Sequence, residues 1–339
     1  MKNLTLAVFL LVSIQTFAGG SDSSAWYFNK GLEEKNNKRW LVANKAFEKA
    51  IQFDAQNAAA YVENATVLLE MRQTDKAKDT YTRLYQLQPN NKVAIKELAN
   101  LYFSYRQYDK AIEFAQKCTD CPDANRIIGM SYYQQEDYAA AEKALMAALK
   151  RNPADAEATY TLARNYLDME AYKQAVPWYE KAIAMEGAKS TWMYELALLY
   201  YNNNDYKNAV IAFNKAAAGG YEQKNDFNEN LGYASLYAGE YEKGEQLLLG
   251  ILKRKPNNTT LLRDMAEIFY QQKQYDKSLS YCQKLMELDP KDGKALYQAG
   301  LCFQKKGEKD RGQQMCDKAI EIDPSLDKLR KKKEMPGGI

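Results

Sequence analysis

Small side chains recur in this sequence with a period of 34 residues. Counting in units from Ser24, the eighth residue is always Gly or Ala and the twentieth is always Ala, Gly or Ser. The eighth positions are Gly31, Ala65, Ala99, Gly129, Ala163, Ala197, Gly232, Ala266 and Gly300, and the twentieth are Ala43, Ala77, Ala111, Ala141, Ala175, Ala209, Gly244, Ser278 and Gly312. Self-similarity at such a period is typical of stacked repeats, so it restricts the fold to a repeat architecture.

Each unit has the pattern of two amphipathic helices. Apolar or small residues fall at positions 4, 7, 8 and 11 and again at 20, 24 and 27, which predicts one buried face on each helix. A single helical hairpin cannot bury that face alone, so every unit needs neighbours. The predicted units are 24–57, 58–91, 92–121, 122–155, 156–189, 190–224, 225–258, 259–292 and 293–326.

Two units depart from the regular length. The third is four residues short and ends at Cys118-Thr119-Asp120-Cys121, and the sixth has an extra residue and Gly219-Gly220. We expect a bend at both places, or an early end to the second helix of the third unit. In three units an acidic residue precedes the aromatic residue at position 17, where it is expected to cap the second helix: Asp137, Asp205 and Glu240.

Further positions carry a family resemblance. The seventeenth residue is aromatic in seven units, and proline ends the second helix in five: Pro89, Pro153, Pro256, Pro290 and Pro324. Together with the small residues, this pattern resembles the tetratricopeptide repeat (TPR) family, over about nine-tenths of the chain. The resemblance implies an all-α fold, a right-handed superhelical solenoid of about nine helix-turn-helix units. Residues 327–339 are then expected to form a capping helix and tail.

The first residues have the layout of an export signal. Met1-Lys2 precedes an uncharged apolar run from Leu4 to Ile14, and Thr16-Phe17-Ala18 suits a cleavage site. We predict a signal peptide over 1–18 and an exported protein, periplasmic in a Gram-negative host. The apolar run is short for a membrane anchor, and nothing later in the chain predicts a membrane span.

Composition removes several classes of function. Histidine is absent, which excludes imidazole bases, Ser-His-Asp and Cys-His nucleophiles and His-containing zinc sites. With 47 Lys+Arg against 44 Asp+Glu, the net charge of +3 argues against a nucleic-acid binder. The sequence predicts no enzyme, no cofactor and no metal site.

Cysteine allows one alternative. Cys118 and Cys121 form a C-x-x-C motif, which suggests either a structural disulfide or a thiol-redox or redox-responsive adaptor. The pair is expected at the C-terminal end of a helix, where the helix dipole opposes thiolate formation. Cys282, Cys302 and Cys316 are predicted to serve as small apolar core residues.

The resemblance also implies where a partner binds. In TPR arrays the first helices line a concave groove through positions 2, 5, 9, 12 and 13. Those positions supply Lys96, Asn100, Phe103, Arg126, Met130, Tyr133, Tyr160, Arg164, Tyr194, Tyr201, Tyr233, Tyr237, Arg263, Tyr270 and Tyr297. Tyrosine and arginine suit an extended or helical peptide, which predicts a non-enzymatic scaffold in envelope assembly, secretion or complex organisation. An aromatic groove also suits a small ligand such as a glycan, and the sequence leaves the partner and the oligomeric state open.

One TPR subtype does not carry over. Domains that clamp a C-terminal carboxylate use Lys and Asn in one repeat, Asn in the next, and Lys and Arg in the third. Lys96 and Asn100 match the first pair, but Ile127 replaces the next Asn. Glu157 and Thr161 stand where Lys and Arg belong, so recognition of a chaperone tail is not expected.

Overall fold

The computed structural model describes residues 15–118 and 120–329, with side chains described from residue 21 onward. Every regular element in these ranges is helical. Most of the predicted signal peptide (1–18) lies outside the described residues, as does most of the predicted cap (327–339), of which 327–329 are helical. None of the described helices combines the length and apolar character needed to cross a bilayer.

The chain divides into two structural units, 1–186 and 187–339. The N-terminal unit contains ten helices among its described residues. They are α1 (Gln15–Asn36), α2 (Trp40–Phe53), α3 (Ala58–Glu70), α4 (Thr74–Leu87), α5 (Lys92–Ser104), α6 (Tyr108–Lys117), α7 (Ala124–Gln134), α8 (Tyr138–Arg151), α9 (Ala156–Asp168) and α10 (Tyr172–Ile183). Odd- and even-numbered helices pair into hairpins, and α5, α7 and α9 lie side by side as the first helices of consecutive hairpins.

The C-terminal unit repeats this arrangement. Its helices are α11 (Ser190–Asn202), α12 (Tyr206–Ala218), α13 (Asn225–Tyr237), α14 (Tyr241–Leu252), α15 (Thr259–Gln271), α16 (Tyr275–Leu288), α17 (Gly293–Lys305) and α18 (Lys309–Ile322), followed by a 3-10 turn (Pro324–Leu326). First helices α13, α15 and α17 are neighbours, and each is paired with the even-numbered helix that follows it. The all-α fold and its solenoid architecture of helical hairpins are therefore as the sequence predicts.

Small residues at the two recurring positions let the helices of a hairpin cross closely. The alanines there are at most 2% exposed. The glycines are packed more tightly still: a Cβ on Gly312 would lie 2.5 Å from the carbonyl oxygen of Gly300, and one on Gly244 would lie 2.7 Å from that of Gly232. A side chain cannot occupy that space, so glycine permits the backbone contact.

The turn inside each hairpin depends on a left-handed residue at the fifteenth position. Gly239 and Gly307 fill it at φ 89° and 98°. The other hairpins place a non-glycine residue there, with φ between 56° and 62°: Lys38, Arg72, Arg106, Glu136, Glu170, Asn204 and Lys273. This backbone costs such residues about 1–2 kcal/mol, which the packed helices on both sides offset. This position does not stand out in the sequence because its residue types vary.

Helix caps explain several boundaries. Asp137 and Asp205 accept hydrogen bonds from the amides of Ala140 (3.1 Å) and Asn208 (3.4 Å), which confirms them as caps of α8 and α12. Glu240 makes no side-chain cap on α14, so that prediction was wrong. Its longer side chain does not adopt the short capping geometry that aspartate favours.

The short third repeat ends its second helix early. Helix α6 has 10 residues, whereas α4 and α8 have 14, so this expectation is confirmed. The chain then turns through the C-x-x-C motif into α7.

Candidate functional site

The first helices carry nearly all the predicted partner-binding residues at half-buried positions. In the N-terminal unit these residues lie on α5, α7 and α9: Lys96, Asn100, Phe103, Arg126, Met130, Tyr133, Tyr160 and Arg164. In the C-terminal unit they lie on α11, α13 and α15: Tyr194, Tyr201, Tyr233, Tyr237, Arg263 and Tyr270. Each set forms a first-helix face of its own unit, partly accessible and partly packed.

Tyr297, on α17, departs from this pattern. Its side chain is only 7% exposed and belongs to a core cluster with Cys316, Ala319 and Leu326. The 3-10 turn after α18 places Leu326 in this cluster. The ring therefore helps to close the last hairpin and offers little surface to a partner.

Two basic residues of the N-terminal face, Lys96 and Arg126, pair with the aspartate at the start of the next hairpin. The ammonium of Lys96 lies 3.6 Å from the carboxylate of Asp123, the N-cap residue of α7. The guanidinium of Arg126 lies 3.4 Å from the carboxylate of Asp123 and also 3.4 Å from that of Asp155, the N-cap residue of α9. The Lys96–Asp123 and Arg126–Asp155 pairs link neighbouring hairpins, so both cations already have carboxylate partners within the protein.

Arg263 plays the same part in the C-terminal unit. Its guanidinium donates two hydrogen bonds to Asp292, at 2.8 and 3.3 Å, while Asp292 also accepts from the amide of Ala295 at 2.9 Å as the N-cap of α17. Burial raises the pKa of Asp292, but the hydrogen bonds from Arg263 and Ala295 outweigh it, so the net pKa lies below its ordinary value. The pair anchors one helix start to the preceding hairpin.

Aromatic contacts complete the N-terminal face. The hydroxyl of Tyr133 donates to Asp168 at 2.6 Å, and the guanidinium of Arg164 lies over the Tyr133 ring at 5.9 Å from its centroid. Burial first, and then the hydrogen bond to Asp168, raises the pKa of Tyr133 above its ordinary value. The Tyr133 ring therefore interacts with both the Arg164 cation and the Asp168 carboxylate within the protein.

The remaining residues of this face are mainly packing elements. Phe103 contacts Tyr108 with ring centroids 5.8 Å apart, and Tyr160 meets Tyr179 edge to face at 5.9 Å. Met130 packs against the buried cluster of α8 and α9. These contacts leave only part of each side chain open to a ligand.

The C-terminal face contains a different grouping, which we call the tyrosine cluster. Its members are Tyr201, Tyr206, Tyr233, Tyr237, Glu229 and Asp264. The rings of Tyr206 and Tyr237 stack at 4.6 Å with an interplanar angle of 21°, and Tyr201 meets Tyr206 edge to face at 5.6 Å. The hydroxyl of Tyr233 donates to Asp264 at 2.9 Å. The cluster brings together residues of α11, α12, α13 and α15.

Carboxylates surround these rings. Burial, followed by the neighbouring Tyr237 and Tyr206 and the charges of Asp264 and Glu229, raises the pKa of Tyr201 to about 12. Burial, Tyr206 and Asp264 likewise raise the pKa of Tyr237. The hydroxyls therefore stay protonated at neutral pH, and the charged groups that shift these pKa values are all negative.

The sequence predicted the cluster only in part. It indicated Tyr201, Tyr233 and Tyr237 as partner-binding residues, but it did not single out Tyr206, Asp264 or Glu229. Tyr206 comes from a second helix and Asp264 from the next hairpin, so the period alone does not show that they meet the predicted tyrosines, whereas Glu229 lies one turn before Tyr233 on α13. The sequence does contain one signal for these carboxylates. Glu229 stands at position 5 and Tyr233 at position 9 of the same repeat, and Asp264 stands at position 6 of the next repeat.

A second aromatic group lies at the start of α11 and α13. Tyr194 stacks on Tyr221 at 4.4 Å and accepts a hydrogen bond from Asn230 at 3.3 Å. An open cavity of about 370 Å³ lies beside it, with Glu222 and Asp226 among its lining residues. Further along the face, Tyr270 contacts Tyr275 at 5.7 Å.

The C-x-x-C motif forms a closed turn. Cys118 and Cys121 are joined by a disulfide, with Cα atoms 5.3 Å apart, and Cys118 is 2% exposed. The Arg151 guanidinium donates to the carbonyl oxygens of Asp120 (2.6 Å) and Cys121 (2.9 Å). Cys282, Cys302 and Cys316 are buried thiols, and burial raises the pKa of Cys282 to about 12. Within the described ranges no group of His, Cys, Asp and Glu side chains could hold a metal ion.

Sequence profiles of one repeat family match this chain. Profiles described as "Tetratricopeptide repeat" match residues 128–185, 160–224, 229–293 and 293–326, which together cover more than half of the chain. The chain belongs to the tetratricopeptide repeat family. Its TPR hairpins are of a kind that serves widely as a scaffold for protein interactions. No curated protein matches the chain significantly.

Solved structures show the same TPR fold at low identity. A tetratricopeptide repeat protein from Parabacteroides merdae aligns with a TM-score of 0.52 and 16% identity, covering 71% of this chain and 96% of that one. Pseudomonas aeruginosa pilF aligns with a TM-score of 0.49 and 16% identity, covering 58% of this chain and 91% of that one. YrrB, described as a TPR protein with an unusual peptide-binding site, aligns with a TM-score of 0.44 and 18% identity. The alignment covers 58% of this chain and 99% of that one.

Proposed function

We propose that this TPR protein is a non-enzymatic scaffold that binds an extended segment of a partner protein on its first-helix faces. In the C-terminal unit, the tyrosine cluster accepts a lysine or arginine side chain of that segment. The observation that carries the proposal is a set of stacked tyrosine rings bordered by carboxylates.

The N-terminal face provides an internal precedent. There, Tyr133 at position 12 of its repeat contacts Arg164 at position 9 of the next, and Asp168 accepts from the tyrosine. In the C-terminal unit, Tyr201 also occupies position 12, but the residue at position 9 of the next repeat is Tyr233. The place of the arginine is therefore taken by another ring, and a partner can supply the cation.

The energetics favour such a ligand. A cation over an aromatic ring contributes about 0.5–1 kcal/mol at exposed sites and about 2 kcal/mol when desolvated. Asp264 and Glu229 add attraction for positive charge without a competing intramolecular cation among the groups that act on Tyr201. Tyrosine rings also give contact area at a low entropic cost.

A pair of matched peptides tests this proposal. We expect a 12-residue peptide with arginine at every third position to bind the full chain in calorimetric titration more tightly than its citrulline counterpart. Citrulline keeps the shape of arginine and removes its charge. Asp264→Asn and Glu229→Gln should each weaken arginine-peptide binding about three- to tenfold, the range of one partly screened charge contact.

Glu242→Gln is the matched control, since Glu242 is an exposed acidic residue on the second helix α14. It should leave binding unchanged. Equal affinity for the two peptides, or equal effects of all three substitutions, would contradict recognition by the tyrosine cluster.

We also propose that the protein acts after export, in the periplasm of a Gram-negative host, in envelope assembly, secretion or the organisation of a complex. The sequence of residues 1–18 supports this. Immunoblotting of cell fractions, with mass spectrometry of the mature N-terminus, tests it. A full-length chain confined to the cytoplasm would contradict it.

The alternative is a thiol-redox role for Cys118 and Cys121. The disulfide favours it, but its position after the C-terminus of α6 and the burial of Cys118 disfavour a reactive thiolate. Reduction of insulin by the pre-reduced protein, faster than by a Cys118→Ser, Cys121→Ser variant, would support the redox role. Equal background rates would support a structural disulfide.

A further inference from the structure

A groove opens on the second-helix side of the C-terminal unit, between α14 and α16. Its volume is about 470 Å³, and Leu249, Leu252, Pro256, Leu262 and Leu288 supply most of its lining. Helix α14 packs less closely on α15 than α12 does on α13 or α16 on α17, which leaves the groove open. Leu288 is 43% exposed at its edge.

The lining is more apolar here than in the corresponding groove of the N-terminal unit. The corresponding groove in the N-terminal unit, between α2 and α4, has about 390 Å³, and polar and charged residues supply most of its lining beside Ile51, Tyr61 and Leu68. Glu48 stands there at the repeat position of Leu249, and Gln52 at the position of Lys253. The repeat architecture therefore creates the groove, whereas the residues of α14 and α15 make it apolar.

Positive charge borders the apolar lining. Lys253, Arg254 and Lys255 follow α14 directly, are exposed, and form no ion pair within the described part of the chain. Lys284 lines the other side, with its ammonium over the ring of Tyr281 at 4.9 Å. An apolar groove with a cationic border attracts an apolar surface that carries acidic residues.

One carboxylate lines the groove and is already engaged. Glu287 accepts a hydrogen bond from the side-chain amide of Gln283 at 2.9 Å. Two cations, Lys253 and Lys284, line the groove beside it, and Arg254 and Lys255 follow Lys253 directly, so the local field favours an anionic ligand.

We propose that this groove binds an acidic amphipathic segment of a partner protein. Apolar side chains of the segment enter between α14 and α16, and its carboxylates face Lys253, Arg254, Lys255 and Lys284. This site is separate from the tyrosine cluster, whose carboxylates select the opposite charge. The C-terminal unit thus presents two recognition surfaces of opposite polarity.

Two synthetic peptides test the proposal. The probe is a fluorescein-labelled 14-residue peptide with leucines on one helical face and glutamates elsewhere, and its counterpart has lysine in place of every glutamate. In anisotropy titrations with the full chain, the acidic peptide should bind, and its affinity should fall as the salt concentration rises. The basic peptide should not bind at this groove. Absence of acidic-peptide binding, or equal binding of both peptides to wild type and to Leu288→Gln, would overturn the proposal.

Substitutions locate the binding. Leu288→Gln should weaken acidic-peptide binding about tenfold or more, because a leucine contact in a groove is lost. Lys253→Glu with Lys284→Glu should abolish it, and this variant should bind the lysine peptide more tightly than wild type does, in which only the tyrosine cluster accepts that peptide. All three side chains are exposed, so circular dichroism should show an unchanged fold.

Leu87→Gln is the matched control. Leu87 occupies the same position as Leu288 in its own repeat, at the end of α4, and is 37% exposed. It should leave acidic-peptide binding unchanged. Equal losses for Leu87→Gln and Leu288→Gln would overturn the assignment to this groove, as would tight binding of anionic phospholipid vesicles without binding of the acidic peptide.

Discussion

At the scale of single residues, helix α14 contains two glycines with different surroundings. A Cβ on Gly244 would lie 2.7 Å from the carbonyl oxygen of Gly232 and 2.8 Å from the Leu236 side chain, whereas a Cβ on Gly250 meets nothing within 4 Å. We expect Gly244→Ala to lower the free energy of unfolding by about 1–3 kcal/mol through overpacking.

Gly250→Ala is the control in the same helix. It should raise the free energy of unfolding by up to about 1 kcal/mol, because alanine has the higher helix propensity. Urea unfolding of both variants measures the difference. If the two substitutions had the same effect, the close crossing of α13 and α14 would be refuted.

The Arg263–Asp292 pair has a pH dependence of defined sign. The folded pKa of Asp292 lies below its unfolded value of about 3.9, so its stabilising effect is present above pH 4 and is lost as the pH falls through the folded pKa. Asp292→Asn keeps an N-cap acceptor and removes the charge. We expect it to cost about 0.5–1 kcal/mol at pH 7, a value reduced by solvent screening of the partly exposed Arg263.

The difference between wild type and Asp292→Asn should shrink as the pH falls from 5 to 3. Thermal unfolding at several pH values measures it. Asp289→Asn, at an exposed position, serves as control and should show a smaller effect. A difference that stayed constant down to pH 3 would show that the charge of Asp292 does not stabilise the fold.

Residue roles on the first-helix faces depended on contacts that a single repeat does not reveal. The resemblance to TPR arrays implied Lys96, Arg126 and Arg263 as ligand contacts, and the helical spacing showed only that their positions share a face away from the hairpin core. Each instead pairs with the aspartate that begins a following hairpin. The register of the repeats places the helices, but the partner of a long side chain depends on the residue type that the next repeat supplies.

At the scale of elements, the hairpins were the most predictable feature. Small residues at positions 8 and 20 locate both helices, because those residues must lie at a helix crossing. The buried Tyr297 was less predictable, since its burial depends on how Leu326 packs after α18. The tyrosine cluster was only partly predictable, because Tyr206 packs within its hairpin and also stacks on Tyr237 of the next.

The turn after α6 is the element whose stability depends on oxidation. Its disulfide closes a very short loop, so its removal should lower the free energy of unfolding by about 2 kcal/mol. Urea unfolding of the Cys118→Ser, Cys121→Ser variant, with and without reductant, measures this. The variant should be insensitive to reductant and the wild type sensitive, since the other three cysteines are free and buried. Equal sensitivity of both proteins would contradict the pairing.

At the scale of the whole molecule, the chain is a set of TPR hairpins, a fold that serves widely as a scaffold for protein interactions. Its first-helix faces combine tyrosine rings with internally paired charges, and the C-terminal unit adds an apolar groove bordered by lysines. These surfaces suit binding of protein segments.

Hydroxyl-radical footprinting of the full chain tests the central claim most directly. With the arginine peptide bound, we predict protection of Tyr201, Tyr206 and Tyr237, and unchanged oxidation of Tyr172, which is 42% exposed on the second helix α10. The citrulline peptide at the same concentration should protect these tyrosines less. Protection that spread evenly over all exposed tyrosines, or that was the same with both peptides, would contradict recognition of a cation at the tyrosine cluster.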